Sequence, residues 1–252
     1  MEVEGIFSEI IKTATSGIES IDGKRKWDRK KWETPPGIFD ISIYRGEALE
    51  KASIARVSLV VNRVITGPGE KLALKKLEGC QINIFPSNPL LPAGMFNLEK
   101  REMATDRLGG YISIFPMKEN DKISENLQET FSSALKKHGK DKSQVLKEYG
   151  ELWQDLDWQF KGERGIGMKI SGGKEDLKAI SDSVILMIKE YLDCIGRAKD
   201  IKFSDDEKER MFSFRLKLTE FILLKDPSTK FCFANGVSLE TLTSMILPPV
   251  RF

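Results

Sequence analysis

Between Ile38 and Tyr44, Phe39, Ile41 and Ile43 alternate with Asp40 and Ser42. That period of two marks a half-buried strand, because successive side chains point to opposite faces. Arg45-Gly46 turns the chain, and Val57, Leu59, Val61 and Ile65 predict a second strand running to a Gly67-Pro68-Gly69 turn. The stretch from Gln81 to Met117 reads as three extended segments. Alternation there puts Met95, Asn97, Glu99 and Arg101 on one face, and Tyr111, Ser113 and Phe115 on one face, so both rows are expected to line a common cleft.

The period then lengthens. Ile123, Leu127 and Phe131 recur every four residues in a helix capped by Asn120 or Asp121 and ending at Gly139. A second helix starts at Ser143, with Val145, Tyr149, Leu152, Trp153, Leu156 and Phe160 on its apolar face; an aromatic stripe at this spacing predicts core packing. Leu177, Ile180, Val184, Ile188, Leu192 and Ile195 predict a long helix. Ser204, followed by Asp205, Asp206 and Glu207, predicts the start of the next, since acids suit the positive end of a helix dipole. Leu218 to Leu224 is expected to return to extended structure.

At 252 residues, 40% hydrophobic and 31% charged, the chain has the make-up of a globular protein, read here as a single domain over residues 1–252. Residues 1–35 are read as an N-terminal helix and a basic approach segment. Forty Lys and Arg against 38 Asp and Glu leave no overall field for nucleic acid or an anionic membrane. The longest aliphatic run, Val184 to Ile188, is far short of the roughly 20 residues of a membrane span. Glu2 and Glu4 stand where a secretory signal needs positive charge, so a cytoplasmic location is expected.

Lys24 to Trp32 holds six basic residues and two tryptophans in nine positions. Nucleic-acid binding is one reading; a solvated approach to the first strand, with Trp packed beneath, is the preferred one. Cys80, Cys194 and Cys232 are too far apart for a Cys-x-x-Cys site and read as reduced core residues. Gly162-Glu163-Arg164-Gly165-Ile166-Gly167 lacks the spacing of a nucleotide-binding loop. His138, the one histidine, is expected at a helix end, which leaves nucleophile–histidine pairs and the usual zinc triads without a histidine. No metal or organic cofactor is expected.

Several segments together resemble the oxygen-dependent coproporphyrinogen III oxidases. These are Glu50-Lys51-Ala52, the Pro-x-Asn-Pro loop (Pro86, Asn88, Pro89), Phe96-Asn97, Gly109-Gly110, the hexapeptide at Gly162, Thr229-Lys230-Phe231 and the stretch Glu240 to Pro249. They cover about 200 residues in order, Glu50 to Pro249. Upstream the likeness thins: a basic, Trp-containing segment is kept, whereas Thr34-Pro35-Pro36-Gly37 replaces a glycine run. The resemblance implies an α/β (α+β) fold, a large antiparallel sheet flanked by helices, and a homodimer. It also implies cofactor-free oxidative decarboxylation of a tetrapyrrole's propionates, with molecular oxygen as co-substrate.

The positions that the family uses for this chemistry are mostly changed. The family's histidine falls at Met95, its arginine at Glu99 and its aspartate at Ser113, while its asparagine is kept as Asn97. A serine becomes Gln81, an Asp-Arg pair becomes Asp226-Pro227, and an arginine becomes Ser238. Charge-assisted bonds to carboxylates contribute about 1.5 to 3 kcal/mol each, so a tetra-anionic substrate is expected to bind poorly. Two readings follow. In one, the chain oxidises another small molecule, with Glu99 and Ser113 catalytic and Gln81, Met95, Asn97, Arg101, Tyr111, Asp226 and Ser238 binding substrate. Glu99 would then be a base in a partly dry cleft, unless Arg101 pairs with it. In the other, the protein is a catalytically silent binder of a tetrapyrrole or of a protein partner.

Overall fold

The computed structural model describes residues 3–23, 25–67, 70–117, 122–137, 142–157 and 166–250. After helix α1 (Val3–Asp22) come six strands: β1 (Asp28–Thr34), β2 (Gly37–Tyr44), β3 (Leu49–Gly67), β4 (Glu70–Pro86), β5 (Ala93–Glu102) and β6 (Arg107–Phe115). Helices α2 (Lys122–Lys137) and α3 (Lys142–Leu152) lead to β7 (Ile166–Gly172). The chain closes with α4 (Leu177–Ala198), α5 (Asp205–Leu224), α6 (Pro227–Ala234) and α7 (Leu239–Met245). The seven strands lie in sequence order and pair antiparallel throughout.

Alternation gives the sheet two apolar faces. On one, Ile82, Ile84, Phe96, Leu98, Ile112 and Ile114 pack beneath α1 and α4. The opposite face is covered in two parts. Phe85, Met95 and Phe115 meet Tyr149, Trp153 and the α5 residues Phe214 and Leu218. Phe39, Ile41 and Leu59 meet Cys232, Leu242 and Met245 from α6 and α7. Among the described residues no helix is long and apolar enough to cross a membrane.

Two sequence expectations are corrected. Leu218 to Leu224 is helical, the last part of α5. A capping box starts that helix: Ser204 accepts from Glu207 N, and the Glu207 side chain returns to the Ser204 backbone. Met211, Phe214, Leu218, Phe221 and Ile222 then bury one face, so the three-to-four spacing overrides a local run that alone looks extended. The basic segment, in turn, is not merely an approach to the first strand. Asp28–Thr34 is itself the edge strand β1, and a two-residue Pro35-Pro36 turn joins it to β2, with Thr34 opposite Gly37. Its lysines suit an edge that must avoid further strand pairing. Trp32 packs from it onto the cluster of Phe39 and Ile41.

Trp153 and Leu156 lie just beyond α3 in successive turns, with Trp153 N donating to Gly150 O and Leu156 N to Trp153 O. Lys24, Pro68, Gly69, Asn120, Asp121, His138, Gly139, Phe160 and residues 162–165 lie outside the described residues.

Candidate functional site

Neighbouring strands bring side chains of one face into rows. Ser53, Asn83, Met95 and Ser113 form one row across β3 to β6; Ala55, Gln81, Asn97 and Tyr111 form the next; Val57, Gly79, Glu99 and Gly109 form the third. Over the second and third rows lies a cavity of about 490 Å³. Its walls are apolar for the most part, including Phe39, Val57, Leu59, Leu77, Phe231 and Met245. On the sheet side Gln81, Asn97, Glu99 and Arg101 make a polar patch, and Ser228 of α6 adds a hydroxyl to the lining.

Glu99 and Arg101 are paired. Arg101 Nε donates to Glu99 Oε1 at 2.6 Å, and Nη2 donates to the same oxygen. The carboxylate side chain is 12% exposed and the guanidinium side chain 40%. An isolated Glu99 in a dry cleft is therefore not what the fold builds: two residues along a strand return to the same face, and Arg101 reaches back over that step. The Gly-Gly entry of β6 makes room for it. A Cβ at Gly109 would sit 2.6 Å from Arg101 Cζ. Gly110 has φ +125°, and a Cβ there would lie 2.1 Å from Asn97 O, so neither position admits a side chain without local movement.

Met95 and Ser113 do not line the cavity. Both are fully buried, Met95 among Phe85, Phe115 and Trp153. Ser113 Oγ accepts a hydrogen bond from Trp153 Nε1 at 2.9 Å. The expectation that these two face the same cleft as Glu99 fails because Trp153 occupies the space above them, edge-on to Phe115 and to Tyr111. Asp226 and Ser238 cap helices. Asp226 accepts from Thr229 N at the start of α6, and Ser238 from Thr241 N at the start of α7. Neither is in the cavity lining. Tyr111 lies behind Gln81, whose Nε2 donates to its hydroxyl at 3.3 Å. Burial, then the carboxylates of Asp226 and Glu99, raise the Tyr111 hydroxyl above its ordinary range.

Beside the cavity runs a buried polar row that single-residue matching missed. Lys51, 3% exposed, donates to Thr243 O at 2.6 Å and Leu247 O at 2.7 Å. Ser53 Oγ and Asn83 Nδ2 both donate to Met245 O. Arg215 reaches Pro86 O at 2.8 Å and Glu50 at 2.6 Å. The Lys51, Ser53 and Asn83 bonds hold the chain from Thr243 to Leu247 against β3 and β4, and Arg215 ties α5 to the same strands. Strand alternation was the available signal, since Asn83 shares a face with Gln81 and Lys51 with Ser53. The wall thiols are unreactive by environment: burial pushes Cys80 up to about 12, and burial with Asp226 pushes Cys232 up to about 11. Among the described residues no group of three His, Cys, Asp or Glu could hold a metal ion.

Residues 2–251 match the family described as Coproporphyrinogen III oxidase. The oxygen-dependent coproporphyrinogen-III oxidase of Rickettsia akari (strain Hartford) is 23% identical over 240 residues, covering 90% of this chain and 85% of that protein. The mitochondrial oxygen-dependent coproporphyrinogen-III oxidase of Homo sapiens is 25% identical over 278 residues, covering 98% of this chain and 60% of that protein. Among solved structures, tomato phytochromobilin synthase in complex with biliverdin superposes with a TM-score of 0.64 at 8% identity. That superposition covers 93% of this chain and 79% of the other, a likeness of fold.

Proposed function

Since the chain belongs to the coproporphyrinogen III oxidase family, we propose that it keeps a family-type cleft as a binding site for a largely apolar small molecule that carries fewer acidic groups than coproporphyrinogen. One observation carries this reading. Among the described residues, Glu99 and Arg101 are the charged residues in the cavity lining, and they neutralise each other. A volume of about 490 Å³ lies within the roughly 300–1,000 Å³ of ordinary ligand pockets. Four propionates would meet one guanidinium already committed to a carboxylate. The apolar wall, by contrast, stabilises an uncharged body by about 25 cal/mol for each Å² it removes from water. By the resemblance read from the sequence, Met95 and Ser113 take the family's histidine and aspartate positions, and both are packed beneath Trp153, which supports binding over the family's decarboxylation.

Glu99 favours a second reading, an oxygen-dependent oxidase acting on another substrate without metal or organic cofactor. Among the described residues it is the carboxylate in the lining, and Arg101 engages only its Oε1. The other oxygen is left to take a proton from a ligand, as a general base does.

A single experiment separates these. Purified protein is offered coproporphyrinogen under air and, in parallel, the small molecules extracted from cells that express it, with oxygen uptake recorded and the retained ligand identified by native mass spectrometry. The expected result is no conversion of coproporphyrinogen and retention of an apolar compound without oxygen uptake. Uptake with the retained compound selects the oxidase reading; coproporphyrinogen turnover at the rate of a family enzyme defeats both.

A further inference from the structure

A relay of hydrogen bonds fixes which end of the Gln81 amide meets the cavity. It starts at the Met245 carbonyl, which can only accept. Asn83 Nδ2 donates to that oxygen at 2.9 Å, and so does Ser53 Oγ. With its nitrogen committed there, Asn83 turns Oδ1 towards the next residue on its strand face, Gln81. Two carbonyl oxygens repel, so Gln81 must answer with nitrogen. Its Nε2 indeed lies 3.4 Å from Asn83 Oδ1 and 3.3 Å from Tyr111 Oη. Both amide hydrogens of Gln81 are thereby directed away from the cavity that the residue lines. Its Oε1 makes no hydrogen bond to a described residue. Directly across in register stands Asn97, also in the lining, whose carboxamide has no hydrogen-bond partner among the described residues.

The geometry points to Gln81 as the specificity-determining residue of the cavity: its Oε1 accepts a hydrogen bond from a neutral N–H on an apolar ring compound. The inference rests on the proposed cavity function and names the ligand class for it. A ligand without a donor leaves that oxygen unpaired in a mostly apolar space, and an unpaired buried acceptor weakens binding. A cation gains little, because Arg101 already answers the nearby carboxylate. Asn83 and Tyr111 are positioning residues. They hold the Gln81 amide in one orientation, and the Met245 carbonyl holds Asn83. Asn97, with both a donor and an acceptor, can pair with whatever stands beside the ligand N–H.

Carbazole and dibenzofuran test this. They are tricyclic rings of nearly equal size, and they differ in that the N–H of carbazole is replaced by an oxygen that cannot donate. Fluorescence titration of the intact chain is expected to show carbazole bound about fivefold more tightly, the scale of one net neutral hydrogen bond. Gln81→Met, with its fold checked by circular dichroism, is expected to abolish the preference, because carbazole loses its acceptor and dibenzofuran no longer leaves one unpaired. Tyr111→Phe keeps the ring against Trp153 and removes one of the two anchors of the amide; the preference is expected to fall to about twofold. If Gln81→Met does not fold, the Tyr111→Phe result decides. Equal binding of the two rings by the unaltered protein overturns the inference but leaves an apolar cavity standing. Binding of neither overturns the cavity function as well. A fivefold preference that survives Gln81→Met, or that Tyr111→Phe leaves intact, removes the role given to Gln81.

Discussion

Strand β5 passes from a filled region to an open one within a few residues of the same face, and the cross-strand neighbours explain why. Met95 lies in a row with Asn83 and Ser113, covered by Trp153, Phe115 and Phe214. Glu99, four residues on, stands between Gly79 and Gly109. Two neighbours without side chains leave space above the sheet, and the short helices α6 and α7 roof it instead of the long helix α5. The filled half holds Met95 and Ser113 and the open half holds Gln81 and Glu99, whereas Asp226 and Ser238 cap helices outside the cavity lining. Sequence matching alone treats these as one site. In three dimensions aromatic packing covers Met95 and Ser113, whereas Gln81 and Glu99 face a cavity.

The contrast predicts its largest effect at Trp153, which is 3% exposed and touches Phe115, Phe221 and Tyr111. Trp153→Ala removes those contacts and leaves Ser113 without its donor. A loss of about 3–5 kcal/mol in urea unfolding is expected, as for large aromatic truncations in cores. A loss below about 1 kcal/mol would show that the filled half is loosely packed, as the cavity half is.

A smaller effect is expected from Lys51, a buried amine at the margin of the filled half. Burial first, then the charge of Arg45, lowers it from 10.5 to about 7. In the unfolded chain it keeps its proton to about 10.5, so between pH 7 and 10.5 the unfolded state binds more protons and stability rises with pH. The buried thiols of Cys80 and Cys232, raised to about 12 and 11, act in the opposite sense once unfolded thiols begin to ionise. The rise is therefore expected between pH 7 and about 8.5, with a slope of at most about 1.4 kcal/mol per pH unit. Urea unfolding at several pH values, repeated on Lys51→Met, checks it: the variant is expected to lose the slope. A slope unchanged by the substitution would place the titration elsewhere.

Much of the sheet was legible from alternation, because a period of two needs no tertiary information: Phe39, Ile41 and Ile43 are buried as their spacing predicts. The site was legible in part. Gln81, Asn97, Glu99 and Arg101 share a face and line one cavity. Met95 and Ser113 share that face too, but what covers a strand face comes from residues far along the chain, here Trp153 and α5, and no local pattern encodes that. The helical end of α5 escapes a local reading for the opposite reason. Leu218 to Leu224 taken alone looks extended, while the capping box at Ser204 and the spacing from Met211 onward carry the helix through it.

The smallest stability effect, and the most useful for the comparison, is expected at Glu99. Its partner Arg101 is 40% exposed, so water and salt screen the attraction, and exposed or half-exposed pairs typically contribute about 0–1 kcal/mol. Glu99→Gln keeps the shape and an acceptor for Arg101, and its effect on urea unfolding is expected to stay below about 1 kcal/mol. That is several-fold less than for Trp153→Ala, although the two positions lie in the same layer above one sheet. The same variant removes the negative charge that balances Arg101 and leaves the polar patch with a net positive charge, so an acidic apolar probe such as a long-chain fatty acid is expected to bind it more tightly than it binds the parent. That gain should shrink with added salt, since Arg101 is partly in solvent. If Glu99→Gln instead destabilises the fold as much as the loss of Trp153, the Glu99–Arg101 pair is a structural clamp, and the open half of the face is held by charge as firmly as the filled half is held by packing.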